Sequence, residues 1–309
     1  MAEDQGVNGD RWTEQGSALL DRLGWEKIAD SNIDLDGTEG LKHGIDALFK
    51  YSNGSKLHDE GIFFEAKYYL TTSFSPAKIQ DWIYVLDEKI NSLARSEKFL
   101  QDYPDMSEAK ARNGLLFLWF KDVRNFYNVV PTLEKALSDV TLPRAKTTRK
   151  STRLFVMSNY DLLRLAALIN SVGDWNRDKK NGELKFLYPS RKNTPVQESS
   201  TLTLEYMYSK FILARADEGD KRNNNRPDVV FYFGEHNINS YLTLRAALLS
   251  MQIIQQKSKL YIYQYIRDEN FRKIMPDVTK LFQEEGYPEV EFRYMDQMAD
   301  LPTWMANIH

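Results

Sequence analysis

The segment GIFFEAKYYL, residues 61–70, limits what this 309-residue chain can fold into more than any other stretch of it. Its aromatic and β-favouring residues read as a largely buried strand, yet Glu65 and Lys67 sit in the middle. Side chains alternate across a strand, so Phe63, Glu65, Lys67 and Tyr69 share one face while Ile62, Phe64, Ala66 and Tyr68 share the other. A charge in such a segment costs on the order of several kcal/mol unless it is paired or binds a metal. The upstream segment GIDALFKY (44–51) reads as the other strand of a hairpin, closed by the turn-rich SNGSKLHDE, and it carries Asp46 near its start. Antiparallel pairing would bring that carboxylate beside Glu65. Two carboxylates are hard oxygen donors suited to Mg²⁺, and an adjacent lysine can orient or deprotonate a water and offset charge on a phosphorane-like transition state.

The flanking elements frame this hairpin. Between Arg11 and Leu23, helical spacing puts Trp12, Gly16, Leu19, Leu20 and Leu23 on one side, and Gly24 suits the C-terminal stop. Ser75 as N-cap and Pro76 at the first helical position open a long helix whose stripe is Ile79, Trp82, Ile83, Leu86, Ile90 and Leu93. GLLFLWF (114–120) is an almost continuous apolar run, the pattern of a strand buried on both faces. Helix, strand, strand, helix, strand is the order of a compact α/β unit. No acidic residue lies between Asp139 and Asp161, whereas Arg144, Lys146, Arg149, Lys150 and Arg153 do, so this basic stretch reads as a connection. It divides the chain into an expected domain 1–145 and a second α/β domain 146–309. In the latter, strand-like runs at 153–158, 184–188, 228–234, 259–266 and 290–295 alternate with helical ones, which predicts a mostly parallel sheet. The five basic residues are also the candidates for sequence-independent contacts to nucleic-acid phosphates.

Composition closes off other chemistries. The chain has no cysteine, which excludes disulfides, thiolate zinc sites and cysteine nucleophiles and makes a cytoplasmic location the default expectation. Its net charge is −3, so any nucleic-acid contact must use a local basic surface. The four histidines lack metal-ligand spacing, and neither a phosphate-binding glycine loop nor a nucleophile elbow occurs. FYFGEHNIN (231–239) joins a strand to a helix, where α/β sheets often bind ligands, but Glu235 would repel a phosphate there. No apolar run has the length of a membrane span, and MAEDQGVNGD lacks the features of a signal peptide.

With those residues in view, HGIDALFKY followed by GIFFEAKYY resembles the active-site hairpin of the PD-(D/E)xK nuclease superfamily, the restriction-endonuclease-like fold. The element order matches that core too. The resemblance implies that Asp46 and Glu65 ligate a divalent metal, Mg²⁺ with Mn²⁺ as a substitute, that the backbone carbonyl of Ala66 assists, and that Lys67 serves catalysis. Ile45 stands where the family's motif has proline, while the carboxylate that the chemistry needs is kept. Over residues 40–90 the chain is similar to nucleases of bacterial anti-phage systems such as Hachiman. That implies a DNA-cleaving effector acting with an ATPase, helicase or sensor subunit, or as a homo-oligomer, away from membranes. Glu14 resembles the first-helix glutamate that completes the metal environment in such nucleases, although helical spacing also sets it opposite the apolar stripe as a solvated residue. Gln80, one turn into the following helix, could face the site and His43 could contact a phosphate, but each reads more simply as surface or loop polarity. The alternative to a nuclease is a catalytically inactive nucleic-acid-binding or assembly subunit. An acid-x-lysine triplet by itself means little, since Asp87-x-Lys89, Glu108-x-Lys110, Asp178-x-Lys180 and Glu183-x-Lys185 also occur without an aspartate strand before them.

Overall fold

The computed structural model describes residues 7–29, 33–53, 58–109, 111–142, 152–178, 182–189, 196–217, 226–251, 253 and 258–298. They form two compact units: one from residues up to Ser52 and from His58 to Leu162, the other from Leu163 to Met298 together with Asn53.

The first unit runs α1 (Val7–Arg22), β1 (Glu26–Ala29), β2 (Ile33–Asp36), β3 (Lys42–Ile45), β4 (Ala47–Tyr51), β5 (Glu60–Tyr69), α2 (Pro76–Leu93), α3 (Glu97–Asp102), α4 (Pro104–Glu108), β6 (Asn113–Phe120), α5 (Val123–Asp139) and β7 (Arg153–Met157). Its five-stranded sheet has the order β1-β4-β5-β6-β7. The β4–β5 pair is the expected antiparallel hairpin, and β5, β6 and β7 run parallel. β6 is buried along its whole length, as its apolar run predicts. The reason is a helix layer on each face. On one side Gly16 of α1 lies over Phe64 and Phe117, so close that a Cβ there would stand 2.6 Å from the Phe64 ring. On the other side α2 and α5 bury Ile83, Leu86, Ile90, Phe126 and Leu133 against Leu48, Phe63, Leu116, Leu118 and Phe120. The stripe expected for α1 is buried at Trp12, Leu19, Leu20 and Leu23.

Two features depart from the pattern read along the sequence. GIDALFKY is not one strand: β3 pairs with β2 in a separate two-stranded sheet, β4 pairs with β5 and β1, and Asp46 occupies the break between them. β7, which alternation groups with the second half, is the edge strand of the first sheet.

The second unit contains α6 (Asn159–Arg177, whose first residues belong to the first unit), β8 (Leu184–Tyr188), β9 (Gln197–Ser199), α7 (Leu204–Met207), β10 (Phe211–Ala216), β11 (Asp228–Tyr232), α8 (Ile238–Ser250), β12 (Lys259–Gln264), α9 (Phe271–Gln283) and β13 (Glu289–Tyr294). Its sheet has the order β13-β12-β11-β10-β8-β9. The β11, β12 and β13 strands run parallel, as the strand–helix alternation implies. β10, β8 and β9 add an antiparallel flank that alternation does not foresee. At the β10–β11 junction the buried Arg215 and Asp228 are paired at 2.7 Å, and the Tyr287 hydroxyl donates to the same carboxylate.

Candidate active site

The break at Asp46 is what builds the site. Where the chain leaves the β2–β3 sheet and enters β4, the Asp46 backbone is free of the main sheet's ladder. Its side chain turns toward β5, where the backbone N–H of Ala66 donates to Asp46 Oδ2 at 2.7 Å. That bond fixes the carboxylate beside the pair of charges on the next strand. Glu65 is 5% exposed in the middle of β5, and its register partner on β6 is Leu116. Lys67, two residues on, holds Glu65 Oε2 with its Nζ at 3.2 Å. Asp46, Glu65, Ala66 and Lys67 are thus one cluster, joined through hydrogen bonds and charge.

Electrostatics mark the cluster as costly. Burial first, and then the Glu65 carboxylate, push Asp46 up from the usual 3.8 to about 6, against the opposing pull of Lys67, the Ala66 N–H and Lys89. Two carboxylates forced together in a half-buried site raise the affinity for any added cation. With the Ala66 carbonyl they form a set of hard oxygen donors, which suits an ion such as Mg²⁺ that keeps several of its own waters. Among the described residues no group of three or more His, Asp or Glu side chains is placed to hold a metal, so this donor set contains only two carboxylates. A cleft of ≈ 220 Å³ opens beside the cluster, lined by Glu65, Lys67, Asp81, Trp82, Lys89 and neighbouring apolar residues.

Lys89 is the residue that sequence reasoning missed. It reaches from α2 to Glu65 Oε1 at 2.5 Å, so that Glu65 has an ammonium group on each oxygen. The Asp87-x-Lys89 triplet is indeed meaningless as a triplet. The usable signal was the position of Lys89 beside the apolar stripe, three residues after Leu86 and one before Ile90, on the helix that covers the Glu65 face. His43 on β3 lies nearby. Burial and the Lys89 ammonium hold it below its ordinary range, and its Nε2, packed against Gly37, has no hydrogen-bond partner among the described residues.

The remaining candidates are not drawn in. Glu14 is half-buried on α1, whose Gly16 packs over Phe64 and Phe117, the face of β5 opposite Glu65 and Lys67. Among the described residues nothing ties Glu14 to the cluster. Gln80 is exposed and donates to the Tyr84 hydroxyl. Arg144, Lys146, Arg149 and Lys150 lie outside the described residues. Arg153 is engaged at home: its guanidinium donates to Asn113 and pairs with the buried Glu60, which also accepts from the Tyr51 hydroxyl.

A family model described as the GAPS4 protein PD-(D/E)XK nuclease domain matches residues 1–161. The chain belongs to this family. No curated protein matches it. The GAPS4 nuclease match ends one residue before the first compact unit does, so β7 and the start of α6 fall inside it. The fold is that of a PD-(D/E)XK nuclease domain at the N-terminus followed by further α/β structure, and the enzyme class that the family supports is a phosphodiester-cleaving nuclease. No helix among the described residues is long and apolar enough to cross a membrane.

Proposed function

We propose that this chain is a divalent-metal-dependent deoxyribonuclease and the cleaving subunit of a multi-component bacterial anti-phage system, working in the cytoplasm with a second subunit that senses or remodels the target. The observation that carries the reading is that Asp46, held by the Ala66 N–H at the break before β4, shares one charge cluster with the paired Glu65 and Lys67 of β5. Asp46 and Glu65 would hold the ion, Mg²⁺ or Mn²⁺, with the Ala66 carbonyl. Bound there, such an ion makes a coordinated water more acidic and offsets charge on the phosphoryl oxygens.

Each residue then has a task of its own. The Ala66 N–H holds Asp46 through Oδ2, and the carboxylate fixed in this way would serve as one oxygen donor. Glu65, rigid within the buried sheet, fixes the second oxygen donor. Lys67 stands beside Glu65 in the lining of the cleft, where its ammonium can donate to an attacking water and counter the negative charge that grows on the phosphorus-bound oxygens. The basic segment containing Arg144, Lys146, Arg149 and Lys150 supplies phosphate contacts that are independent of base sequence. The second unit, from Leu163 onward, serves target recognition or partner docking.

The direct test incubates supercoiled plasmid, linear duplex and single-stranded RNA with wild type, Asp46→Ala and Lys67→Ala, in Mg²⁺ or EDTA, with and without the protein encoded beside it. Wild type should cleave DNA in Mg²⁺ alone, and each substitution should slow cleavage by roughly 10²–10⁴-fold. Identical behaviour of wild type and both variants in every arm would leave a non-catalytic assembly subunit as the better description.

A further inference from the structure

We infer that Lys89 is a resident counter-ion of the Asp46–Glu65 pair, competing with the divalent cation for Glu65, so that loading the site requires Lys89 to leave. This rests on the reading of Asp46 and Glu65 as the metal ligands. Glu65 is almost fully buried and has both oxygens engaged, Oε2 by Lys67 at 3.2 Å and Oε1 by Lys89 at 2.5 Å. An ammonium at that distance takes up one lone pair of Oε1 and competes, in charge and in space, with a cation that would bind the same oxygen at roughly 2.0–2.1 Å.

The two lysines are not equivalent. Lys67 shares β5 with Glu65, two residues away on the same face, so the strand itself keeps the two close. Lys89 arrives from α2 on a flexible four-carbon stem and is 19% exposed. It borders the ≈ 220 Å³ cleft, which gives its ammonium space to withdraw from Glu65. Lys89 therefore has both the freedom and a place to go.

Its role before metal arrives follows from the charges. Two neighbouring carboxylates repel each other, and an ammonium between helix and sheet offsets that repulsion. A divalent cation brings more charge to the same oxygens and repels the ammonium. Metal and Lys89 thus bind Glu65 with negative coupling, and by linkage whatever weakens one strengthens the other. Removing the Lys89 charge should destabilise the metal-free protein and tighten metal binding together. A merely structural ion pair would give the first effect without the second.

The experiment titrates the full-length protein with Ca²⁺ and with Mg²⁺ by calorimetry, without nucleic acid, at about pH 8. It compares wild type with Lys89→Met, Lys89→Gln, Lys89→Arg and Asp46→Asn, and follows metal-induced thermal shifts in parallel. Both neutral variants should bind metal at least about fivefold more tightly than wild type and show a larger thermal shift, and the arginine variant should stay near wild type. Equal or weaker binding by the neutral variants overturns the role of Lys89. Should those variants fail to fold, wild type with ¹³C-methylated lysines decides: the Lys89 signal must move on Ca²⁺ addition, and a stationary signal overturns the inference. The metal-site reading fails separately, and this inference with it, where wild-type binding is absent or survives Asp46→Asn.

Discussion

Replacing Asp46 by asparagine should make the metal-free protein more stable, and increasingly so as pH rises. The folded protein pushes the Asp46 carboxyl from 3.8 to about 6, chiefly by burial and by the Glu65 charge. A carboxyl that holds its proton more tightly when folded than when unfolded gives the folded state extra protons between those two values. Stability is therefore lost as pH climbs from about 3.8 to about 6, and the penalty is complete above that window. A difference of roughly two pH units at about 1.4 kcal/mol each amounts to about 3 kcal/mol. Asp46 keeps some contact with water, so this is an upper bound. Asparagine preserves the acceptor for the Ala66 N–H and carries no charge to titrate. In a unit of this size the gain corresponds to at most about 6–12 °C in melting temperature. The assay is thermal unfolding in EDTA from pH 5 to pH 8, read as the difference between Asp46→Asn and wild type at each pH so that shared titrations cancel. The difference should favour the variant, grow between pH 5 and pH 7 and then level off. A variant less stable than wild type throughout, or a difference that does not change with pH, would refute the electrostatic description of the site.

Three further outcomes separate structural from functional residues. Gly16→Val should destabilise the first unit by roughly 1–3 kcal/mol, read by chemical denaturation, because a Cβ at that position meets the Phe64 ring at 2.6 Å and the Phe117 ring at 3.1 Å. Arg153→Gln should lower the melting temperature by removing the cation paired with the buried Glu60 carboxylate, whereas the pair Arg149→Gln and Lys150→Gln should leave it unchanged, weaken duplex DNA binding and flatten its salt dependence by up to about two phosphate contacts.

The chemistry of the site was more legible than its architecture. Glu65 and Lys67 stand out because a charge pair conflicts with an apolar strand, and Asp46 because it is the acid on the paired segment. The break at Asp46 was not legible: Gly44 and Ile45 continue the β-like pattern of Ala47–Tyr51, and nothing local says that β3 pairs with β2 instead of β5. β1 and β2, only four residues each and rich in charge, look like a polar loop until their partners are known. Arg153–Met157 reads as a strand in either half of the chain, and only the pairing Leu115↔Phe155 with its neighbours assigns it to the first sheet. Likewise Phe211–Ala216 is a short, mostly apolar run whose antiparallel pairing is set by β11 and β8 and not by anything within the run itself. Lys89 was hidden for a related reason. Its importance depends on which face of the sheet α2 covers, a tertiary fact that helical periodicity alone does not contain.

The most direct measurement is the location of a bound cation. Crystals grown with Mn²⁺ and measured at its absorption edge should give an anomalous peak in contact with both Asp46 and Glu65, with the Lys89 ammonium withdrawn from Glu65. A structure from saturating Mn²⁺ in which no peak touches those two carboxylates, and Lys89 still holds Glu65, would contradict the assignment of this hairpin as a metal-dependent nuclease centre.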